Sequence, residues 1–150
     1  MATWTDFEVD APDIAGKGRA LLYRTGAGEG LFITIRGDGL PRAHPVNVGV
    51  VDGHLYTFVQ AKSAKRRDLE EDGRYALHAH VIPDAPHEFL LRGHARLIED
   101  PDMRLMVAFD WAFTVSNDYP LYELMITTAL LGERPTADDW PPIYTSWTSE

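Results

Sequence analysis

Residues 31–78 read LFITIRGDGLPRAHPVNVGVVDGHLYTFVQAKSAKRRDLEEDGRYALH, and this stretch decides the fold because extended runs and turn signals alternate along it. The run LFITI (31–35) is apolar and β-branched and leads into RGDGLPRAH, where Gly37, Asp38, Gly39 and Pro41 mark a hairpin turn. A second strand is expected over HPVNVGVV (44–51), closed by Asp52-Gly53, a strong two-residue hairpin signal, and a third over HLYTFVQ (54–60). Three consecutive antiparallel strands of this kind form a meander. The pattern then changes from a period of two to a helical one. Ser63 can cap, Glu70 and Glu71 follow, and Gly73 supplies the stop, so one short helix lies within 62–73.

Outward from this stretch, YALHAHV (75–81) returns to strand. EFLLRGHARLI (88–98) alternates well, with Phe89, Leu91, Gly93, Ala95 and Leu97 on one face and Glu88, Arg92, His94 and Arg96 on the other. Asp100-Pro101 starts a helix through about Phe113, in which Met103, Met106, Val107 and Trp111 recur at helical spacing. LYELMITTALL (121–131) is compatible with helix or strand. Tyr122, Leu124, Ile126, Thr128 and Leu130 alternate with Glu123 and Thr127, which favours a sixth strand. On the N-terminal side, residues 12–23 form a first helix, with Pro12 early and Ile14, Ala15, Leu21 and Leu22 as core contacts. The expectation is a mainly β fold of six antiparallel strands in a small barrel with added helices.

At 150 residues and 45% hydrophobic content the chain can bury one core, so residues 1–150 are read as a single domain. Cysteine is absent, which excludes disulfides, thiolate metal sites and a cysteine nucleophile; redox chemistry would have to come from a bound cofactor. No run reaches the roughly 18 to 20 apolar residues of a membrane span, and the acidic start MATWTDFEVDAPDIAG has no export pattern, so a cytoplasmic protein is expected. A formal net charge of -9 argues against a nucleic-acid or anionic-membrane surface and leaves room for a local site for a small anion.

Such a site is suggested by Lys62, Lys65, Arg66 and Arg67, four cations at the start of the short helix. One reading makes them solvated charges partnering Asp68, Glu70, Glu71 and Asp72. The other starts from their order. Cations at the first turn and carboxylates at the last oppose the helix dipole, and an anion at the start would correct this. Unpaired backbone N–H groups, the Ser63 hydroxyl and the Lys and Arg side chains together make a phosphate cradle. Ser63 has no Gly-x-Ser-x-Gly elbow around it, so capping or phosphate binding suits it better than nucleophilic attack. Of the histidines, His78 and His80 share a strand face, and His44, His54, His87 and His94 complete the set. No metal-binding spacing links them, and no metal site is expected.

The order of these segments resembles the FMN-binding split-barrel proteins related to pyridoxamine 5′-phosphate oxidase. The resemblance rests on Gly-x-Pro-x-x-x-Pro-Val at 39–46, the paired strands, Ser-x-Lys-x-x-Asp-Leu at 63–69 and the strand after it. It extends more loosely through HARLIED (94–100) to LYEL (121–124) and YTSW (144–147). It implies a six-stranded antiparallel split barrel, a homodimer and one FMN per subunit at the dimer interface. By the resemblance, the phosphate falls to Lys62, Ser63, Lys65 and Arg66 or Arg67. The ring would lie by the backbone of Pro45, Val46 and Asn47 and of Thr57, Phe58 and Val59. Apart from the resemblance, the position of Trp147 near residue 150 makes it a candidate to close over the ring. Ala64 stands where the oxidase tends to have arginine, Asp68 where many relatives have asparagine, and the chain ends TSWTSE (145–150) rather than Arg-Leu-x-Pro. Pyridoxamine phosphate is therefore not the expected substrate.

The resulting expectation is an FMN-dependent oxidoreductase acting on a small molecule, with no catalytic side chain named, since the flavin carries the chemistry. One alternative is the deazaflavin F420, with Arg24, Arg36 and Arg42 available for its tail. Another is a flavin- or haem-binding protein without turnover.

Overall fold

The computed structural model describes residues 1–150 and contains four helices and eight strands. The helices are α1 (Trp4–Asp10), α2 (Pro12–Leu22), α3 (Ala64–Glu71) and α4 (Pro101–Asp110). The strands are β1 (Glu29–Ile35), β2 (Pro41–Asn47), β3 (Gly49–Val51), β4 (His54–Phe58), β5 (Arg74–His78), β6 (Glu88–Ile98), β7 (Leu121–Glu133) and β8 (Ile143–Thr148). All ladders are antiparallel, in the order β2-β1-β5-β6-β7-β4-β3, and β8 pairs with the far half of β7. The sheet curls around a core that includes Phe32, Leu55, Leu77, Phe89, Leu91, Leu124 and Leu131. Trp4, Phe7 and Leu22 extend that core from α1 and α2.

Both hairpin turns form where the sequence marks them. Ile35 pairs with Pro41 across the first. In the second, Asp52 and Gly53 take φ of 49° and 77°, the left-handed pair that a tight two-residue hairpin demands. The meander does not form. The expected strand 44–51 breaks at Val48, whose N–H donates to the Gly28 carbonyl at 3.0 Å. A side chain at position 28 would place its Cβ 2.2 Å from the Val48 carbonyl oxygen, so only glycine permits this approach. The two hairpins therefore part, β1–β2 to one end of the ladder path and β3–β4 to the other.

Strand number is corrected from six to eight. The break at Val48 adds one, and β8 adds another; its side chains are mostly exposed, so no alternation marks it. Helix α1 lies in the stretch read only as an acidic start, and it is held by a capping box between Thr3 and Asp6. Helix α4 ends at Asp110 rather than near Phe113. Residues 121–133 are strand, as the alternation favoured, but the inward face changes along them. Leu124 and Ile126 point into the core from the first half, Ala129 and Leu131 from the second, because the register with β6 shifts between Arg92 and Gly93. Thr128 and Leu130 thus leave the face expected of them. Leu97, expected among the core residues of β6, is exposed. Glu123, expected on the outer face, is buried, paired with His54 Nδ1 at 2.5 Å and with the Arg96 guanidinium. No helix is long and apolar enough to cross a membrane.

Candidate functional site

Helix α3 begins as its sequence requires. Ser63 is the N-cap: its hydroxyl accepts from the Arg66 N–H at 3.3 Å and donates to the Gln60 carbonyl at 2.9 Å. Arg66 turns back onto the Ala61 carbonyl at 2.8 Å and pairs with Glu70 at 3.1 Å. That is the one ion pair within the helix. Asp72 pairs with Arg74 instead, and Asp68 turns into the protein. Lys62, Lys65 and Arg67 make no ion pair, so most of the cationic start is not neutralised by the carboxylates that follow it.

The three unpaired cations go to different places. Lys65 is half-buried and lines a cavity of about 390 Å³ formed by β2, the end of β4, the start of α3 and the connection from α4 to β7. Burial lowers the pKa of its ammonium group from the ordinary lysine value. Arg67 is exposed and opens on a separate polar cavity of about 270 Å³ with Arg36, Arg42 and Asp68. Lys62 is exposed and lines neither.

The larger cavity brings together Pro45, Val46, Asn47, Phe58 and Lys65, five of the residues named from the sequence. Its volume is within the range of small-molecule sites. Thr57 and Val59 are fully buried and do not line it; the Thr57 hydroxyl donates to the Asn47 carbonyl at 2.8 Å, tying β4 to β2. Trp147 does not line it: its ring packs 4.9 Å from that of Phe7. The remaining wall comes from Gln60 and from residues 111–119, chiefly Trp111, Phe113 and Tyr119. Sequence reasoning missed this wall because it extended α4 through Phe113. The aromatic pair Trp111 and Phe113, just past a helix with exposed apolar residues, was the available signal. Trp111 stands edge-on to Phe58 with ring centres 5.0 Å apart, and Arg104 lies 5.1 Å from the Phe58 ring.

Behind Lys65, α3 is fastened to the sheet. The buried Asp68 carboxylate accepts from the Thr34 hydroxyl at 2.7 Å and from Arg42 Nε at 2.8 Å. Burial raises its pKa, but these two hydrogen bonds and the positive charge of Arg42 outweigh that and leave it below the usual aspartate value. His44 shares the inward face of β2 with Arg42. Its pKa is lowered, first by burial and then by Lys65 and Arg42, and its Nε2 is buried without a partner. The histidines are dispersed: His54 meets Glu123, His78 Nδ1 lies 2.6 Å from the Ala79 carbonyl, and His87 accepts from the Arg134 N–H. No three metal-ligating side chains converge. Arg24, Arg36 and Arg42 are engaged by the His80 carbonyl, Asp38 and Asp68, and none lines the larger cavity. The polar groups that do line it, Asn47, Gln60, Lys65, Thr114 and Tyr119, suit holding a ligand by hydrogen bonds and one positive charge.

No family model and no curated protein sequence matches the chain. Solved structures do. A haem-binding protein from Mycobacterium smegmatis superposes with a TM-score of 0.63 at 18% identity over 85% of this chain, which spans 56% of that protein's length. A Listeria innocua protein provisionally assigned as a pyridoxamine 5′-phosphate oxidase gives 0.58 at 20% identity, over 76% of this chain and 94% of its own. An F420 reductase gives 0.52 at 22% identity, over 67% and 87%. At these identities the likeness concerns the fold, and what the three have in common with this chain is the mainly antiparallel, curled sheet with helices around it: the chain has the split-barrel fold.

Proposed function

We propose that the protein is a flavin-dependent oxidoreductase that holds FMN in the 390 Å³ cavity and acts on a small molecule. The observation that carries this reading is the position of Lys65, an unpaired, half-buried ammonium at the first turn of α3 in the same cavity as Pro45, Val46, Asn47 and Phe58. A partly desolvated cation beside free helix N–H groups is matched by a phosphate dianion. The residues fit the group as follows. Lys65 and the first turn of α3 hold the phosphate, with Lys62 adding charge from outside. Ser63 and Arg66 fix the shape of that turn. Pro45, Val46 and Asn47 present β2 to the ring, and Phe58 presents the end of β4; Thr57 and Val59 do not line the cavity and only support it. FMN, when bound, supplies hydride and electron transfer at its ring; the protein supplies position, hydrogen bonds and exclusion of water.

Similarity to an F420 reductase and to a haem-binding protein makes those two cofactors the alternatives. FMN is favoured because Arg24, Arg36 and Arg42, the cations available for a longer anionic tail, are already engaged elsewhere. The protein is further proposed to be a homodimer. Val48 and Val51 are buried within the chain; among the exposed apolar side chains, Leu105 and Phe109 of α4 and Phe113 after it are the surface proposed for a partner.

The test is an absorbance titration of the purified protein with FMN, F420 and haemin. Saturable FMN binding with a shifted flavin spectrum, followed by reduction with NADPH or NADH and reoxidation in air, supports the reading. Preferential F420 binding or a Soret band replaces the cofactor, and flavin that binds but cannot be reduced by any donor makes the protein a binder.

A further inference from the structure

A second cavity, of about 220 Å³, lies between the end of α2, the β2–β3 break and the end of α4. It shares Asn47, Trp111 and Phe113 with the larger cavity, and its own lining includes Tyr23, Val48 and Val50. Tyr23 is fixed in place, since its hydroxyl accepts from the Val50 N–H at 2.8 Å.

Two opposite charges stand on the lining of this cavity, Arg19 and Asp110, and they do not pair with each other or with any other charged side chain. Neither side chain makes a hydrogen bond. Arg19 lies 5.5 Å over the Tyr23 ring, which holds its guanidinium at the cavity without using its donors. Asp110 is the last residue of α4, where the helix dipole disfavours a carboxylate, and no basic residue occupies that turn to offset it. A cation placed in the cavity would relieve Asp110, and an anion would use the free fork of Arg19. Tyr23 and Trp111 give the cavity an aromatic wall that suits a ring.

We propose that this cavity is a second ligand site, for a small aromatic zwitterion whose carboxylate meets Arg19, whose ammonium meets Asp110 and whose ring packs on Tyr23 and Trp111. The shared wall places such a ligand next to whatever occupies the larger cavity. The site stands without the flavin reading, and its test is run without flavin, so that failure of one leaves the other intact.

The experiment is calorimetric titration of the full chain with three matched probes: L-phenylalanine, 3-phenylpropanoate, which lacks the ammonium, and phenethylamine, which lacks the carboxylate. L-Phenylalanine is expected to bind about tenfold more tightly than either, the size of one charge-assisted hydrogen bond. Arg19→Gln is expected to weaken L-phenylalanine and 3-phenylpropanoate by a similar factor and leave phenethylamine unchanged. Asp110→Asn is expected to do the reverse. Both positions are exposed, and unchanged circular dichroism would show that the variants fold. Equal affinities for the three probes, no saturation with any of them, or a variant that affects all three alike overturns the proposal.

Discussion

Arg42 Nε donates to the Asp68 carboxylate at 2.8 Å, joining β2 to α3 beneath the residue that reaches the cavity, Lys65. The same carboxylate oxygen accepts from Thr34, so β1, β2 and α3 meet at one atom. Asp68→Ala leaves Arg42 and the Thr34 hydroxyl without an acceptor and is expected to lower stability by about 2–4 kcal/mol. Asp68→Asn keeps an acceptor oxygen and should lose about half as much. Urea unfolding midpoints of the two variants check this; equal losses would mean that charge, not hydrogen bonding, holds the joint.

Protonation of His44 is disfavoured in the folded protein by burial, by Lys65 and by Arg42, with Asp68 opposing. A histidine whose pKa is lowered by folding contributes stability that is fully present above its unfolded value of about 6.5 and is lost as pH falls through the folded value. Asp68, also lowered, adds a loss that begins only below about pH 4. Wild-type stability should therefore begin to decline as pH falls below about 6.5, and His44→Leu should remove that slope while leaving the loss that sets in below about pH 4. Denaturation curves at several pH values decide it; an unchanged slope would assign the protons to another group.

Lys65→Ala is expected to weaken FMN by about 1.5–3 kcal/mol, the contribution of a hydrogen bond to a charged group, and to leave riboflavin nearly unaffected. Arg67→Ala, on the far side of the helix, should change neither affinity much. Fluorescence titration with both flavins separates the phosphate contact from support of the ring. Equal weakening of FMN and riboflavin by Lys65→Ala would contradict the assignment.

Phe109 is 93% exposed and follows Leu105 by one helical turn. If this face meets a second copy, sedimentation of the wild type at micromolar concentration gives a dimer and Phe109→Asp gives a monomer. A wild-type monomer, or a dimer indifferent to the substitution, would remove the α4 surface from consideration.

The parts of this fold that were legible in sequence are those with local causes. Asp52-Gly53 forces its own turn, and Ser63 caps α3 with no help from distant residues. β7 was legible as a strand, but its change of inward face was not, since that follows from a register shift against β6, and neither was the burial of Glu123, which rests on His54 of β4 and Arg96 of β6. The break at Val48 depends on Gly28, twenty positions away in sequence, and no pattern within 44–51 records it. The candidate site divides the same way. Pro45, Val46 and Lys65 were accessible through their motifs, whereas Trp111, Phe113 and Tyr119 reach the cavity on an irregular segment whose path is set by tertiary packing.

The two ends of the ladder path, β2 and β3, are consecutive in the chain and separated only by Val48. The backbone itself thus crosses the gap that the ladder leaves open, and Thr57 reaches over that gap to Asn47 with a single side-chain hydrogen bond. Asn47 stands at this seam and belongs to both cavities. In a sheet that is otherwise paired strand to strand, the seam is a missing rung, with the outer edge of β2 unclaimed by any neighbouring strand. A flat ligand with donors and acceptors along one edge is the kind of object that fills a missing rung, and a split in a barrel is then a berth rather than a flaw.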